Sequence, residues 1–271
     1  MSTFIGIDFS GGARPWRRSV SHPTVWLAIV QDGGDGLRLI ELMPVQSLQG
    51  NEMPFDRLVK LLAAGDFEVA AIDAPFSLPS AHMPPGGHPE LLRRVAALPD
   101  GPDRPFPLGE SIIELGEAVA PKDQAKPLRQ TEKDWASRGV NTRSTMWDRP
   151  RGGAPFAAAC VRLLERSGRP CWPWATFQHG ILVEAFPAAQ LRHWGLPHQG
   201  YSGPLSANVR AKILAKLNER LRVSAFHAQI IIENTDALDA VIAVFAGIAV
   251  AKRAVVGFRV PYADGFIAVA E

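Results

Sequence analysis

Nine prolines fall between Pro75 and Pro107. Each fixes φ and removes a backbone donor, so neither a long helix nor a central strand runs through that stretch. The chain is divided by it. Residues 1–75 and 180–271 are left to build one core, and residues 76–179 form a large Pro-rich insertion of mixed loop and helix. At 271 residues the chain admits one or two domains and buries a sizeable core without disulfide or metal staples.

The first half opens with three strand-like runs, at residues 3–9, 24–31 and 37–43. The turn cluster Asp32-Gly33-Gly34-Asp35-Gly36 separates the last two, which points to an antiparallel meander. Apolar residues at helical spacing follow at 55–64, then a buried strand at 67–74. The second half reads as a strand at 181–186, a helix at 206–222, a strand at 225–232, a helix at 236–252 that is apolar nearly all round, and a closing strand at 265–270. A meander followed by alternating helix and strand predicts an α/β fold, a mixed sheet with helices packed on it.

Composition narrows the functional classes. Lys plus Arg is 29 and Asp plus Glu is 27, a net charge of +2, which argues against a histone-like nucleic-acid binder. The longest uncharged apolar run, 240–251, is too short to span a bilayer. An acid within the first eight residues stands where a signal peptide needs an apolar core. The two cysteines form no CxxC pair, which argues against a zinc–thiolate site and for a reducing compartment. The expectation is a cytoplasmic protein with no membrane partner.

Carboxylates stand where carboxylates are costly. Asp8 ends the run Phe4-Ile5-Gly6-Ile7-Asp8, on the face of Phe4 and Gly6, where the glycine leaves open space beside it. Asp73 ends Val69-Ala70-Ala71-Ile72-Asp73, and Glu184 interrupts Ile181-Leu182-Val183-Glu184. Asp236 and Asp239 are spaced i, i+3 at the start of the most apolar helix, and so share a face. An isolated buried carboxylate costs several kcal/mol, on the order of the penalty for any unpaired buried ion. No Lys or Arg lies within these runs. Converging acids of this kind are relieved by Mg²⁺ or Mn²⁺, hard cations that prefer oxygen ligands. Two such ions about 4 Å apart support phosphodiester hydrolysis. Local explanations stand beside this one. Asp236 as N-cap with Asp239 at N3 makes a capping box, Asp73-Ala74-Pro75 makes a turn, and Glu184 can pair with an arginine of the insertion.

Five short motifs then appear in order: IGIDFS (residues 5–10), AIDAP (71–75), VEAFP (183–187), DALDA (236–240) and DGFIAV (264–269). Together they resemble the domain-of-unknown-function 429 family, described as predicted nucleases with a ribonuclease H-like fold. The resemblance covers both core halves. It implies a mixed five-stranded sheet with the acidic site at its centre, and it makes Asp8, Asp73, Glu184 and Asp236 or Asp239 the catalytic metal ligands. The expected activity is divalent-metal-dependent phosphodiester hydrolysis, with Asp8 bridging two ions, Asp73 and Glu184 on one side and Asp236 or Asp239 on the other.

Two further patterns bear on function. Arg14, Arg17 and Arg18, then Arg143, Arg149 and Arg151 among Trp135, Trp147, Trp172 and Trp174, suit single-stranded nucleic acid through phosphate contacts and base stacking. The alternative is a surface subdomain packing its own small core. Ser10-Gly11-Gly12 after Asp8 resembles the phosphate loop of actin-like and sugar-kinase ATP phosphotransferases, but Asp73 is followed by Ala74-Pro75 rather than a second glycine-rich loop. A non-catalytic module binding nucleic acid or protein is the third reading. The seven scattered histidines show no HxxxH spacing.

Overall fold

A computed structural model of the chain describes residues 1–259 and 262–271. The antiparallel meander is present as β1 (Ser2–Asp8), β2 (Trp26–Asp32) and β3 (Leu37–Pro44). Helix α1 (Pro54–Ala64) starts on its proline and ends at Gly65, whose φ of 73° supplies the left-handed cap that glycine adopts without penalty. It returns the chain to β4 (Val69–Asp73), parallel to β1. β5 (Ile181–Glu184) adds in parallel to β4.

The sheet has six strands rather than the expected five, in the order β5-β4-β1-β2-β3-β6. The sixth, β6 (Leu221–Arg222), is a two-residue parallel pairing with Leu37 and Arg38. It is too short to leave an alternating pattern in the sequence.

Four helices join β4 to β5: α2 (Gly87–Ala96), α3 (Gly109–Glu117), α4 (Gln130–Ser137) and α5 (Ala154–Ser167). The proline-rich stretch thus holds a three-residue 3₁₀ turn, Ser80–His82, and one ten-residue helix. The 76–179 segment is also part of the main packing. Cys160, Leu163 and Leu164 of α5 join Phe55, Leu58 and Leu62 of α1 against one sheet face, through Ile5, Ile7, Ile72 and Leu182.

The second half continues with α6 (Pro187–His193), α7 (Ala207–Leu217), α8 (Ala225–Glu233) and α9 (Thr235–Ala251). α9 covers the other sheet face, packing on Phe4, Ala71 and Val183. Its all-round apolarity matches burial on every side, and among the described residues no single helix is long and apolar enough to cross a membrane.

Two expected strands are absent. Residues 225–232 are the helix α8, opened by Ser224, whose Oγ accepts the His227 N–H at 3.2 Å. A short apolar run does not separate helix from strand by periodicity, and the capping serine decided it. Residues 265–270 form no strand, beginning at Gly265 with a φ of 87° and making only one bridge, between Val255 and Ala270. Their amides donate instead to Thr131 Oγ1 from Ile267, to the Glu184 carbonyl from Ala268, and to Gln190 Oε1 from Ala270. Two side-chain acceptors and one backbone carbonyl satisfy these donors in place of a continuous ladder.

Candidate functional site: an aspartate cleft at the strand ends

β1 and β4 are adjacent and parallel, and their last residues, Asp8 and Asp73, are register partners. Partners in register share a face, and both acids fall on the α9 side, with Phe4, Val69 and Ala71 below them. Glycine at position 6 lets the helix come close. A Cβ there would lie 2.0 Å from the Ala240 carbonyl oxygen and 2.6 Å from Val244 Cγ2. The N-terminal turns of α9 therefore sit over the end of β1, and they carry Asp236 and Asp239. The cap of α9 is Asn234, whose Oδ1 accepts the Ala237 N–H at 2.9 Å. The capping-box expectation for Asp236 and Asp239 is thereby replaced, and both carboxylates are left free of the helix end.

These four aspartates line one cleft of about 570 Å³ at the carboxyl ends of β1, β4 and β5, the edge at which open α/β sheets bind their ligands. All four are partly buried. Burial, then the charges of Asp239, Asp73 and Asp236, push Asp8 well above the ordinary carboxylate range. Asp239 is raised for the same reasons, burial first, against a lowering contribution from the Tyr201 hydroxyl, which donates to its Oδ1 at 3.0 Å. Burial lifts Asp73 to about 7, opposed by the Arg143 guanidinium and reinforced by Glu184. Burial alone lifts Asp236 to about 6. Burial and mutual repulsion thus disfavour ionisation of four acids in one cleft, which makes it the candidate site. As the side chains are placed, no three His, Cys, Asp or Glu among the described residues stand close enough to enclose one metal ion. The donor set itself, all carboxylate oxygen with mutual repulsion to relieve, is of the chemical kind that a hard divalent cation prefers.

Glu184 lines the same cleft in a different role. It registers with Ile72, not with Asp73, and so leaves the sheet on the opposite face. There Arg129 takes it in a two-pronged pair, Nη1 to Oε2 at 2.7 Å and Nη2 to Oε1, while the Phe76 N–H donates to Oε2 at 3.0 Å. Arg129 also donates from Nε to Glu132 Oε1 at 2.9 Å, and Arg129, Glu132 and Glu184 are each at least 97% buried. The pairing of Glu184 with an arginine of the insertion is the reading realised here, and its lone pairs are committed to it. Asp264 anchors the same region, its Oδ2 accepting from the Ser80 and Gln130 amides at 3.2 and 3.0 Å.

Sequence reasoning missed Arg129 and Tyr201. Nothing local marks either, because Arg129 meets Glu184 across 55 positions and Tyr201 meets Asp239 across 38. Tyr201 is held in turn by the buried Arg210, which donates to the Tyr201 carbonyl at 2.7 Å and to that of Ile232 at 2.7 Å. Of the four tryptophans in the insertion, Trp135 and Trp172 are buried in apolar clusters, and Trp174 stacks on His88 with centroids 3.7 Å apart. Trp147 is flanked by Lys126 and Arg149 at 4.7 and 5.8 Å from its ring.

Residues 6–259 match the family described as "Protein of unknown function (DUF429)". No curated protein and no solved structure matches the chain.

Proposed function

Since the chain belongs to the DUF429 family, whose description carries no activity, we propose a function from the cleft: divalent-metal-dependent hydrolysis of phosphodiesters on a ribonuclease H-like core. The observation that carries the reading is the convergence of Asp8, Asp73, Asp236 and Asp239, from two strands and one helix, on a single cleft. The first five strands, a meander extended by two parallel strands with the acids at the centre, support the ribonuclease H-like assignment.

Asp8, Asp73, Asp236 and Asp239 would hold Mg²⁺ or Mn²⁺. The bound ions would supply Lewis-acid stabilisation of phosphoryl oxygens and lower the pKa of a coordinated water. The chain's own contribution is positional. Tyr201 orients Asp239 through its hydroxyl and favours its ionised form. The Arg129–Glu184–Glu132 cluster fixes the wall between β5 and α4. Aspartates poised to lose protons near neutrality couple cation binding to proton release.

The phosphotransferase alternative loses its main support in this geometry. A Cβ at Gly11 would lie 2.3 Å from the Pro155 carbonyl carbon and 2.5 Å from the Phe156 nitrogen. The glycine therefore serves the approach of α5, which accounts for it without a phosphate loop.

The test is Mn²⁺-dependent cleavage of a panel of single-stranded, double-stranded and branched DNA and RNA, with wild type and Asp8→Asn. Cleavage by the wild type that is lost in Asp8→Asn supports the reading. Equal activity of the two proteins, or no product from any substrate, refutes it.

A further inference from the structure

Two arginines line the aspartate cleft, and they differ in what they are bonded to. Arg129 is buried and spent on Glu132 and Glu184. Arg143 is exposed and has no hydrogen bond or ion pair to any side chain or carbonyl among the described residues. Its guanidinium lies 5.4 Å from the centroid of Phe156, which also lines the cleft, and its charge is felt at Asp73.

The backbone beneath Arg143 is tightly held. The Gly153 amide donates to the Ser144 carbonyl at 2.8 Å. A Cβ at Gly153 would meet the carbonyl oxygens of Ser144 and Arg143 at 2.9 and 3.0 Å. Ser144 Oγ donates to the Pro127 carbonyl at 2.6 Å and accepts the Met146 N–H at 3.2 Å. A fixed segment thus presents a planar cation, resting on an aromatic ring, at the lip of an anionic cleft. A guanidinium that carries no carboxylate is free to take one phosphate in a two-pronged grip, and its aromatic support limits the entropy lost on doing so.

We infer that Arg143 is the phosphate-holding residue of this cleft, gripping a substrate phosphoryl group on the side of Asp73 while Phe156 supports its guanidinium. The inference rests on the phosphodiester reading above and names the group that recognises the substrate's anion. The shared chemistry is a nucleotide phosphate, whose source is either one nucleotide or a strand.

The experiment measures anisotropy of a fluorescein-labelled single-stranded DNA of about ten nucleotides, within the range of site sizes for single-strand grooves. Ca²⁺ is present to permit binding without turnover, salt is varied, and unlabelled thymidine monophosphate is the competitor. The proteins are wild type, Arg143→Ala and Arg143→Lys. Arg143→Ala is expected to weaken binding roughly tenfold at low salt and to lower the slope of log Kd against log salt by about 0.7, the value for one phosphate contact on a single strand. Arg143→Lys should keep the slope and recover only part of the affinity, because an ammonium cannot grip in two prongs. Competition by the mononucleotide at concentrations near the strand's Kd identifies a one-nucleotide ligand, and its absence identifies a strand. An unchanged affinity and slope in Arg143→Ala, or a wild type that does not bind the probe, overturns the inference. The hydrolytic reading fails separately, as no Mn²⁺-dependent product from a wild type that binds with the Arg143 slope.

Discussion

The close approach of α9 to β1 is what brings Asp236 and Asp239 to Asp8, and Gly6 is the residue that permits it. In Gly6→Ala the new methyl group would lie 2.0 Å from the Ala240 carbonyl oxygen and 2.8 Å from the Val244 nitrogen. Both are backbone atoms of a 17-residue helix and cannot rotate away. Ordinary contact begins near 3.4 Å, so α9 has to withdraw by more than an ångström. A gap of about 0.5–1 Å forfeits a quarter to a half of the dispersion energy of the atoms facing it, and overpacking of this kind costs about 1–3 kcal/mol. Removing a strand glycine returns roughly 0.5–1 kcal/mol. The net expectation is a loss of about 1–2 kcal/mol, or roughly 2–8 °C in Tm for a chain of this size. Gly247→Ala is the matched control, since α9 also crosses β4 there. Its Cβ would meet only side chains, Val69 at 3.1 Å and Ala71 at an ordinary 3.7 Å. Gly to Ala inside a helix gains about 1 kcal/mol, so this variant should stay within about 1 kcal/mol of wild type. Urea denaturation of both variants, with Mn²⁺ titration by calorimetry, reads stability and site together. Gly6→Ala should be less stable and bind Mn²⁺ more weakly, whereas Gly247→Ala should match wild type in both. A Gly6→Ala protein that unfolds at the wild-type midpoint, or that is hurt less than Gly247→Ala, refutes the close-approach argument.

Three other outcomes follow from the same geometry. Asp73 goes from 3.8 unfolded to about 7 folded, and Asp236 from 3.8 to about 6, so the folded state binds more protons between those limits. Metal-free stability should therefore fall as pH rises from about 4 to 7, with the cost fully present above that window. Asp73→Asn should be more stable than wild type at pH about 8 and indistinguishable from it at pH about 4 in urea titrations. Arg129→Met leaves two glutamates buried without their cation and should cost about 3–5 kcal/mol. The loss should shrink on acidification, as Glu132, which burial already pushes up, takes up a proton, and a pH-independent loss would refute the ion-pair account. Tyr201→Phe removes the hydroxyl that lowers the proton affinity of Asp239. Its Mn²⁺ affinity should drop, and drop further as pH falls, while thermal stability changes by only about 1 kcal/mol.

What could be read in advance was what each segment signals by itself. Asp8 and Asp73 close apolar runs, Gly6 precedes Asp8 by one strand repeat, and Asp236 and Asp239 share a helix face. These are properties of neighbours in the chain, and they sufficed to name four acids that the fold gathers. Glu184 shows where such reading stops. Its role depends on whether it registers with Asp73 or with Ile72, a one-residue difference that exchanges the two faces of a strand. Register between β4 and β5 is decided by packing across more than a hundred positions, on Val183 toward α9 and Leu182 toward α5. With Ile72 as its partner, Glu184 faces α5 and Arg129, and its charge is neutralised by a side chain instead of being offered to the cleft. The closing segment obeys the same logic. Residues 265–270 have the composition of a strand, but Thr131 and Gln190 already occupy the donors that a ladder would use. Acids at strand ends are therefore visible from sequence because their cost is local. Which of them stay unpaired is set by partners such as Arg129 and Tyr201 that only the fold supplies.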